Sequence, residues 1–97
     1  MTFEEFRTTD GVADWHQDGS GAVVTFGTGD FATGAKLFSQ IAALAESANH
    51  HPDVEVTYPS VRVRLETHSA GGLTIKDARL AAEISRAAGD LGIAAQA

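Results

Sequence analysis

Val54-Glu55-Val56-Thr57-Tyr58-Pro59-Ser60-Val61-Arg62-Val63-Arg64-Leu65-Glu66-Thr67-His68 is the stretch that decides the fold of this chain. Val54, Val56 and Tyr58 alternate with Glu55 and Thr57, and Val61, Val63, Leu65 and Thr67 alternate with Arg62, Arg64, Glu66 and His68. Side chains of a strand point to opposite faces in turn, so this pattern predicts two strands with one apolar and one polar face, joined by a turn at Pro59-Ser60. A slip of one residue would send every valine to solvent, which pins the register. His68 leaves this hairpin on the face opposite Val61, Val63 and Leu65. The apolar face needs a cover, and the segments on either side supply it.

Upstream, Phe31, Ala35, Phe38, Ala42, Ala45 and Asn49 recur at helical spacing, and Leu37, Ile41, Leu44 and Ala48 widen the apolar stripe. Asp30 is placed to cap this helix, which should run from about Phe31 to about Asn49. Pro52 disfavours helical geometry at the preceding residue, so the helix must finish at or before His50-His51. Glu46 and His50 then stand at i and i+4, where Glu46 can orient His50. Downstream, Gly71-Gly72 permits a tight loop, and Thr74 and Asp77 have the spacing of a capping box. The helix they open carries Ile75, Leu80, Ala81, Ile84, Ala88 and Leu91 inward and should run to about Gly92.

Nearer the start, Trp15 to Gln17, the turn-prone Asp18-Gly19-Ser20-Gly21 and Ala22 to Phe26 read as a first hairpin. Thr2 and Glu5 are spaced to cap an opening helix too short to carry much. The order is α-β-β-α-β-β-α. The expected fold class is α+β, a four-stranded antiparallel sheet with helices packed on one face.

With 97 residues and no internal repeat, residues 1–97 are expected to form a single domain. The 43% of hydrophobic residues include many alanines, so apolar area per residue is modest and self-association is expected. Thirteen acidic against seven basic residues give a net charge of −6, and no basic run is present, which disfavours a nucleic-acid partner. Cysteine is absent, so disulfides, thiol nucleophiles and thiolate metal sites are excluded. No apolar stretch approaches the roughly 20 residues that span a bilayer and none follows Met1 as a signal segment, so no membrane association and a cytoplasmic location are expected.

Three of the four histidines fall in His50-His51-Pro52 and Thr67-His68. Imidazole, with an ordinary pKa of roughly 6.5, both gives and takes protons near neutrality, so the cluster points to proton transfer or metal binding. A histidine pair at a helix C-terminus also arises from the dipole alone, at about 0.3–1 kcal/mol. The company of Glu46, Pro52 and His68 favours a base-and-orienter arrangement. Zinc accepts such ligands, yet the side chains of adjacent histidines diverge and no HExxH pattern is present, so no metal is expected. Asp77 has a sufficient structural role as the third helical residue of its cap. His16 lies outside the cluster, Trp15 and Phe26 suit a core or an interface, and Arg62 and Arg64 share a face with Glu66, either solvated or facing acids across an interface. Gly71-Gly72 lacks the glycine spacing and lysine of a phosphate-binding loop.

The run Glu46-Ser47-Ala48-Asn49-His50-His51-Pro52-Asp53, then Thr67-His68, then Gly72-Leu73-Thr74 with Asp77, resembles the pterin-4a-carbinolamine dehydratases, also called 4a-hydroxytetrahydrobiopterin dehydratases. The likeness extends from Trp15 to about Gly92. It implies the α+β fold above, dimers joined edge to edge through their sheets, and often tetramers. It also implies a hydro-lyase that eliminates water from 4a-hydroxytetrahydropterin to give quinonoid dihydropterin. That reaction recycles the cofactor of aromatic amino acid hydroxylases and needs no metal or organic cofactor. By resemblance His50 and His68 are the acid–base pair, His51 binds the pterin and assists, Glu46 orients His50, Pro52 holds the loop and Asp77 supports the site. The alternative is a binding role alone, since relatives of this fold serve as dimerisation or assembly factors. Such factors need the sheet edge and helix faces but not the histidines, and the full set of three favours the dehydratase. The chain departs from the family in its shorter first helix, in Val54 where some members carry Trp, and in Ser69-Ala70 where others have bulkier or charged residues. These changes bear on pterin affinity and side-chain preference.

Overall fold

A computed structural model describes residues 1–96. The elements are α1 (Phe3–Phe6), β1 (His16–Asp18), β2 (Gly21–Gly27), α2 (Phe31–Ala48), β3 (Asp53–Val56), β4 (Ser60–Leu65), a 3-10 turn (His68–Ala70), α3 (Ile75–Asp90) and β5 (Ala94–Ala95). The sheet is antiparallel throughout, in the order β1-β2-β4-β3. The second hairpin adopts the register its alternation requires, with Val54 opposite Val63 and Val56 opposite Val61. The sequence reading missed β5, two alanines that pair with Phe26 and Gly27 of β2 beyond the end of β1. Two residues are too few to show a period. Among the described residues the outer edge of β3 has no strand beside it.

Ala22, Val24 and Phe26 of β2 and Val61, Val63 and Leu65 of β4 all point into one core with Leu37 and Ile41 of α2 and Leu80, Ala81 and Ile84 of α3. The intervening Arg62 and Arg64 lie on the uncovered face of the sheet. Helix α2 seats on the sheet at Gly34, where a Cβ would stand 3.4 Å from both Val56 and Val61. Its buried stripe is accordingly Gly34, Leu37, Ile41 and Ala45. Phe31 and Phe38, expected on the apolar face, lie outside that stripe and are 57% and 44% exposed. Two residues of α3 also differ from expectation. Ile75 is the first helical residue and Leu91 the residue beyond the last turn, and both are exposed rather than inward.

The opening helix carries more than its length implies. Thr2 and Glu5 form the expected capping box, and Phe6 at its end is fully buried, edge-on to Trp15 at 6.3 Å. Trp15 in turn donates from Nε1 to Ser85 Oγ at 2.8 Å, tying the first segment to α3. Among the described residues no helix is long and apolar enough to cross a membrane.

Candidate active site

The site begins with the way α2 ends. Asn49 adopts the left-handed conformation (φ 49°, ψ 43°), and among the described residues it is the one non-glycine with positive φ. The Asn49 amide donates to the Glu46 carbonyl at 3.3 Å and the His50 amide to the Ala45 carbonyl at 3.1 Å, the pairing of a Schellman cap. This reversal breaks the helical phase on which the i, i+4 reading of Glu46 and His50 relied. Glu46 instead meets His51, with Oε2 and Nε2 2.5 Å apart, and both side chains are largely exposed. His50 turns inward, where its Nε2 lies 2.6 Å from Asp77 Oδ1. The expectation that Glu46 orients His50 is therefore corrected: the carboxylate beside His50 is Asp77.

Asp77 has no solvent exposure, and the His50 side chain retains 12%. The capping role of Asp77 is real, since its Oδ2 accepts from the Thr74 amide at 2.9 Å. The same oxygen accepts from Thr67 Oγ1 at 2.7 Å. Thr67 Oγ1 also lies 2.8 Å from Thr74 Oγ1, and because its one proton goes to Asp77, Thr74 is the donor in that pair. A directed chain results, from Thr74 to Thr67 to the carboxylate, with His50 on the carboxylate's other oxygen. The N-terminus of α3 adds favourable partial charge for a buried anion. With Nε2–H donated to Asp77, Nδ1 is the His50 nitrogen left to accept a proton.

His68 reaches the site from a 3-10 turn that Gly71 closes with φ 68°. Strand β4 has already ended at Leu65, so His68 is placed by this turn, clamped by the Thr67–Gly72 bridge, rather than by strand alternation. The imidazole is exposed and makes no hydrogen bond to protein among the described residues. His50, His51 and His68 line one cavity of about 300 Å³, together with Asn49, Glu66, Thr67, Ser69 and Lys76. Glu46, Pro52 and Val54 stand outside it, in an adjoining and more apolar cavity of about 350 Å³ that shares His51. Among the described residues no three histidine, aspartate or glutamate side chains converge to hold a metal ion, because His50 and His51 diverge to separate carboxylates.

Thr67, Glu66 and Lys76 of this cavity are not singled out by the sequence. In the sequence Thr67 stands out only as the neighbour of His68, and Glu66 only as a companion of Arg62 and Arg64. In the structure Glu66 Oε2 accepts from Ser20 Oγ at 2.7 Å and Oε1 from Arg64 Nη1 at 2.9 Å. These bonds, Ser20's first, hold its carboxyl below the usual carboxylate range, and nearby His68 acts in the same direction. Arg64 also reaches Asp18 at 2.8 Å, so this strand face pairs its charges within the chain. The two-residue offset from His68 was the available signal, since a carboxylate there shares the exit of the strand.

Residues 2–87 match the family model described as Pterin 4 alpha carbinolamine dehydratase. A protein of Chloroflexus aurantiacus is 43% identical over 76 residues, 78% of this chain and 82% of its own length. One from Gloeobacter violaceus is 40% identical over 89 residues, 87% of this chain and 97% of its own. Both bear the name pterin-4-alpha-carbinolamine dehydratase as a provisional assignment. Among solved structures, a transcriptional coactivator/pterin dehydratase from Brucella melitensis superposes with a TM-score of 0.78 at 31% identity, covering 89% of this chain and 92% of that one.

Proposed function

We propose, from the premise that this chain belongs to the pterin 4 alpha carbinolamine dehydratase family, that it eliminates water from 4a-hydroxytetrahydrobiopterin or a close pterin relative to give quinonoid dihydropterin. The observation that carries the reading is the buried His50–Asp77 pair opening on the same cavity as His68 and His51. In the elimination the C4a–O bond breaks as its oxygen takes a proton and leaves as water. The adjacent ring nitrogen loses its proton, and its electron pair forms the new double bond to C4a. No electrons are exchanged with a cofactor. His50, whose Nε2–H is committed to Asp77, takes the ring-nitrogen proton at Nδ1. His68, with both nitrogens free of protein partners among the described residues, delivers the proton to the leaving oxygen. His51, held by Glu46 at the mouth, binds the pterin and assists, while Pro52 keeps the loop in place.

The fold also offers surfaces for a second copy of the chain, the unpaired edge of β3 and the exposed Phe31 and Phe38, and we read the working form as a homodimer or homotetramer. An aromatic amino acid hydroxylase would supply the substrate. A binding role without catalysis is the second reading, favoured by those same surfaces and by the double description of the Brucella protein. The deciding experiment follows the decay of 4a-hydroxytetrahydropterin, generated in situ by a phenylalanine hydroxylase, by stopped-flow absorbance. Decay accelerated by this protein and lost in His50→Ala and His68→Ala supports the dehydratase. Decay at the uncatalysed rate with folded protein overturns it and leaves the binding role.

A further inference from the structure

We propose that Glu66 is the carboxylate that binds the 2-amino and N3–H edge of the pterin and so selects pterins over their 2-oxo counterparts; the assignment rests on the dehydratase reading. That edge presents two parallel N–H donors, the same fork that an arginine offers a carboxylate. Among the residues lining the histidine cavity Glu66 is the one acid, set among three imidazoles and the Lys76 side chain. No other lining group accepts two parallel donors with full negative charge.

The carboxylate is also held in advance. Ser20 fixes Oε2 and Arg64 fixes Oε1, one bond to each oxygen. Each oxygen keeps a further acceptor site, so a bidentate partner displaces neither anchor. Arg64 is itself locked, with Nε and Nη2 on Asp18 Oδ2 and the Asp18 carbonyl at 2.8 and 3.0 Å. It passes over Gly21, where a Cβ would stand 2.9 Å from the guanidinium and 2.6 Å from the Leu65 carbonyl. The side chain of Glu66 is only 13% exposed, so its bonds to a ligand are partly shielded from water. The tight turn between the first two strands thus serves the site by anchoring an acid just beyond the end of the fourth. Nothing in this anchoring requires a ligand for the sake of Arg64, whose Nε and Nη2 Asp18 already satisfies.

The test is calorimetric titration of 6-methyl-7,8-dihydropterin and 6-methyl-7,8-dihydrolumazine, its 2-oxo counterpart, into wild type, Glu66→Gln and Ser20→Ala. Wild type is expected to favour the pterin, and Glu66→Gln to lose roughly 10- to 100-fold in pterin affinity, the usual range for a charge-assisted pair, with lumazine binding little changed. Ser20→Ala frees one oxygen and should cause a smaller loss with the same selectivity, which keeps the proposal open to refutation if Glu66→Gln fails to fold. In turnover, Glu66→Gln should raise KM by a larger factor than it lowers kcat, whereas His50→Ala should act mainly on kcat. Equal weakening of both ligands, or none, refutes the role of Glu66 while the dehydratase reading stands. Wild type that binds neither ligand and does not accelerate the elimination removes both.

Discussion

Asp77→Asn replaces a fully buried carboxylate with an amide of nearly the same shape, and its effect follows from counting protons. Asp77 accepts from the Thr74 amide, the Thr67 hydroxyl and His50 Nε2–H at 2.9, 2.7 and 2.6 Å. In the variant the amide oxygen keeps the two threonine bonds, which preserves the cap, and the amide nitrogen faces His50. An N–H₂ group cannot accept from Nε2–H, so the imidazole must carry its proton on Nδ1 and present Nε2 as the acceptor. The nitrogen that should take the substrate proton is then already protonated. Bonds to a charged acceptor are worth about 1.5–3 kcal/mol and neutral ones about 0.5–1.5, and a neutral amide is easier to bury. The balance is a loss of about 2 kcal/mol, or roughly 8–16 °C in melting temperature for a chain of this size. The kinetic loss should be far larger, about 10²- to 10⁴-fold in kcat, because general base catalysis and its tautomer are removed together. Thermal unfolding and stopped-flow turnover on the same samples separate the two effects. A folded Asn variant whose kcat stays within about threefold of wild type refutes the tautomer argument, since a lost base costs at least about 10²-fold.

At the end of α2, Asn49→Ala should cost about 1 kcal/mol in thermal unfolding, because alanine resists left-handed geometry, while Asn49→Gly should be neutral or stabilising; equal stability of the two variants would show that the cap is not held by φ. Turnover should fall in the Ala variant and persist in the Gly variant, since the same residue aims His50 at Asp77. Phe31→Glu with Phe38→Glu should shift the assembly to smaller species in size-exclusion chromatography with light scattering, and an unchanged mass would acquit that face of α2. Stability should depend on pH through Glu66, whose folded carboxyl lies below its unfolded value because of Ser20 and then Arg64. The native state gains above the unfolded value, about pH 4.3, and loses that gain as pH falls through the lower folded value. Glu66→Gln binds no such proton, so its deficit in melting temperature should narrow between pH 7 and pH 3; a constant deficit would contradict the linkage.

The sheet was legible because a period of two leaves no freedom: Val54, Val56, Val61 and Val63 had to share a face, and they pair as required. The helices were legible in position but less so in face. At a spacing of about 3.6 residues several stripes of α2 are apolar, and only packing at Gly34 chose the one containing Leu37 and Ile41 over the one containing Phe31 and Phe38. The histidine cluster was visible, whereas its partners were not. One backbone reversal at Asn49 exchanged the carboxylate of His50, and no side-chain spacing encodes that reversal. The residue type did carry a hint, since asparagine ahead of a histidine pair and a proline is a fitting left-handed terminator.

Asp77 carries a structural role that is formed and, in the proposed mechanism, a functional one, and the two are compatible. Its spacing from Thr74 accounts for a helix cap, and the cap is formed. A cap carboxylate must sit at the positive end of a helix with one oxygen on the backbone, which leaves the other oxygen free and the charge stabilised without a cationic side chain. Those are also the conditions under which a buried carboxylate can accept from an imidazole N–H and so fix its tautomer. The second oxygen meets His50, and Thr67 completes the acceptor set. The helix start therefore supplies what the histidine needs at little added cost in stability. Cap and site fail differently on substitution: Asp77→Asn spares the cap and strips the proposed base, so its kinetic loss of about 10²- to 10⁴-fold should exceed the roughly 30-fold that about 2 kcal/mol of stability represents.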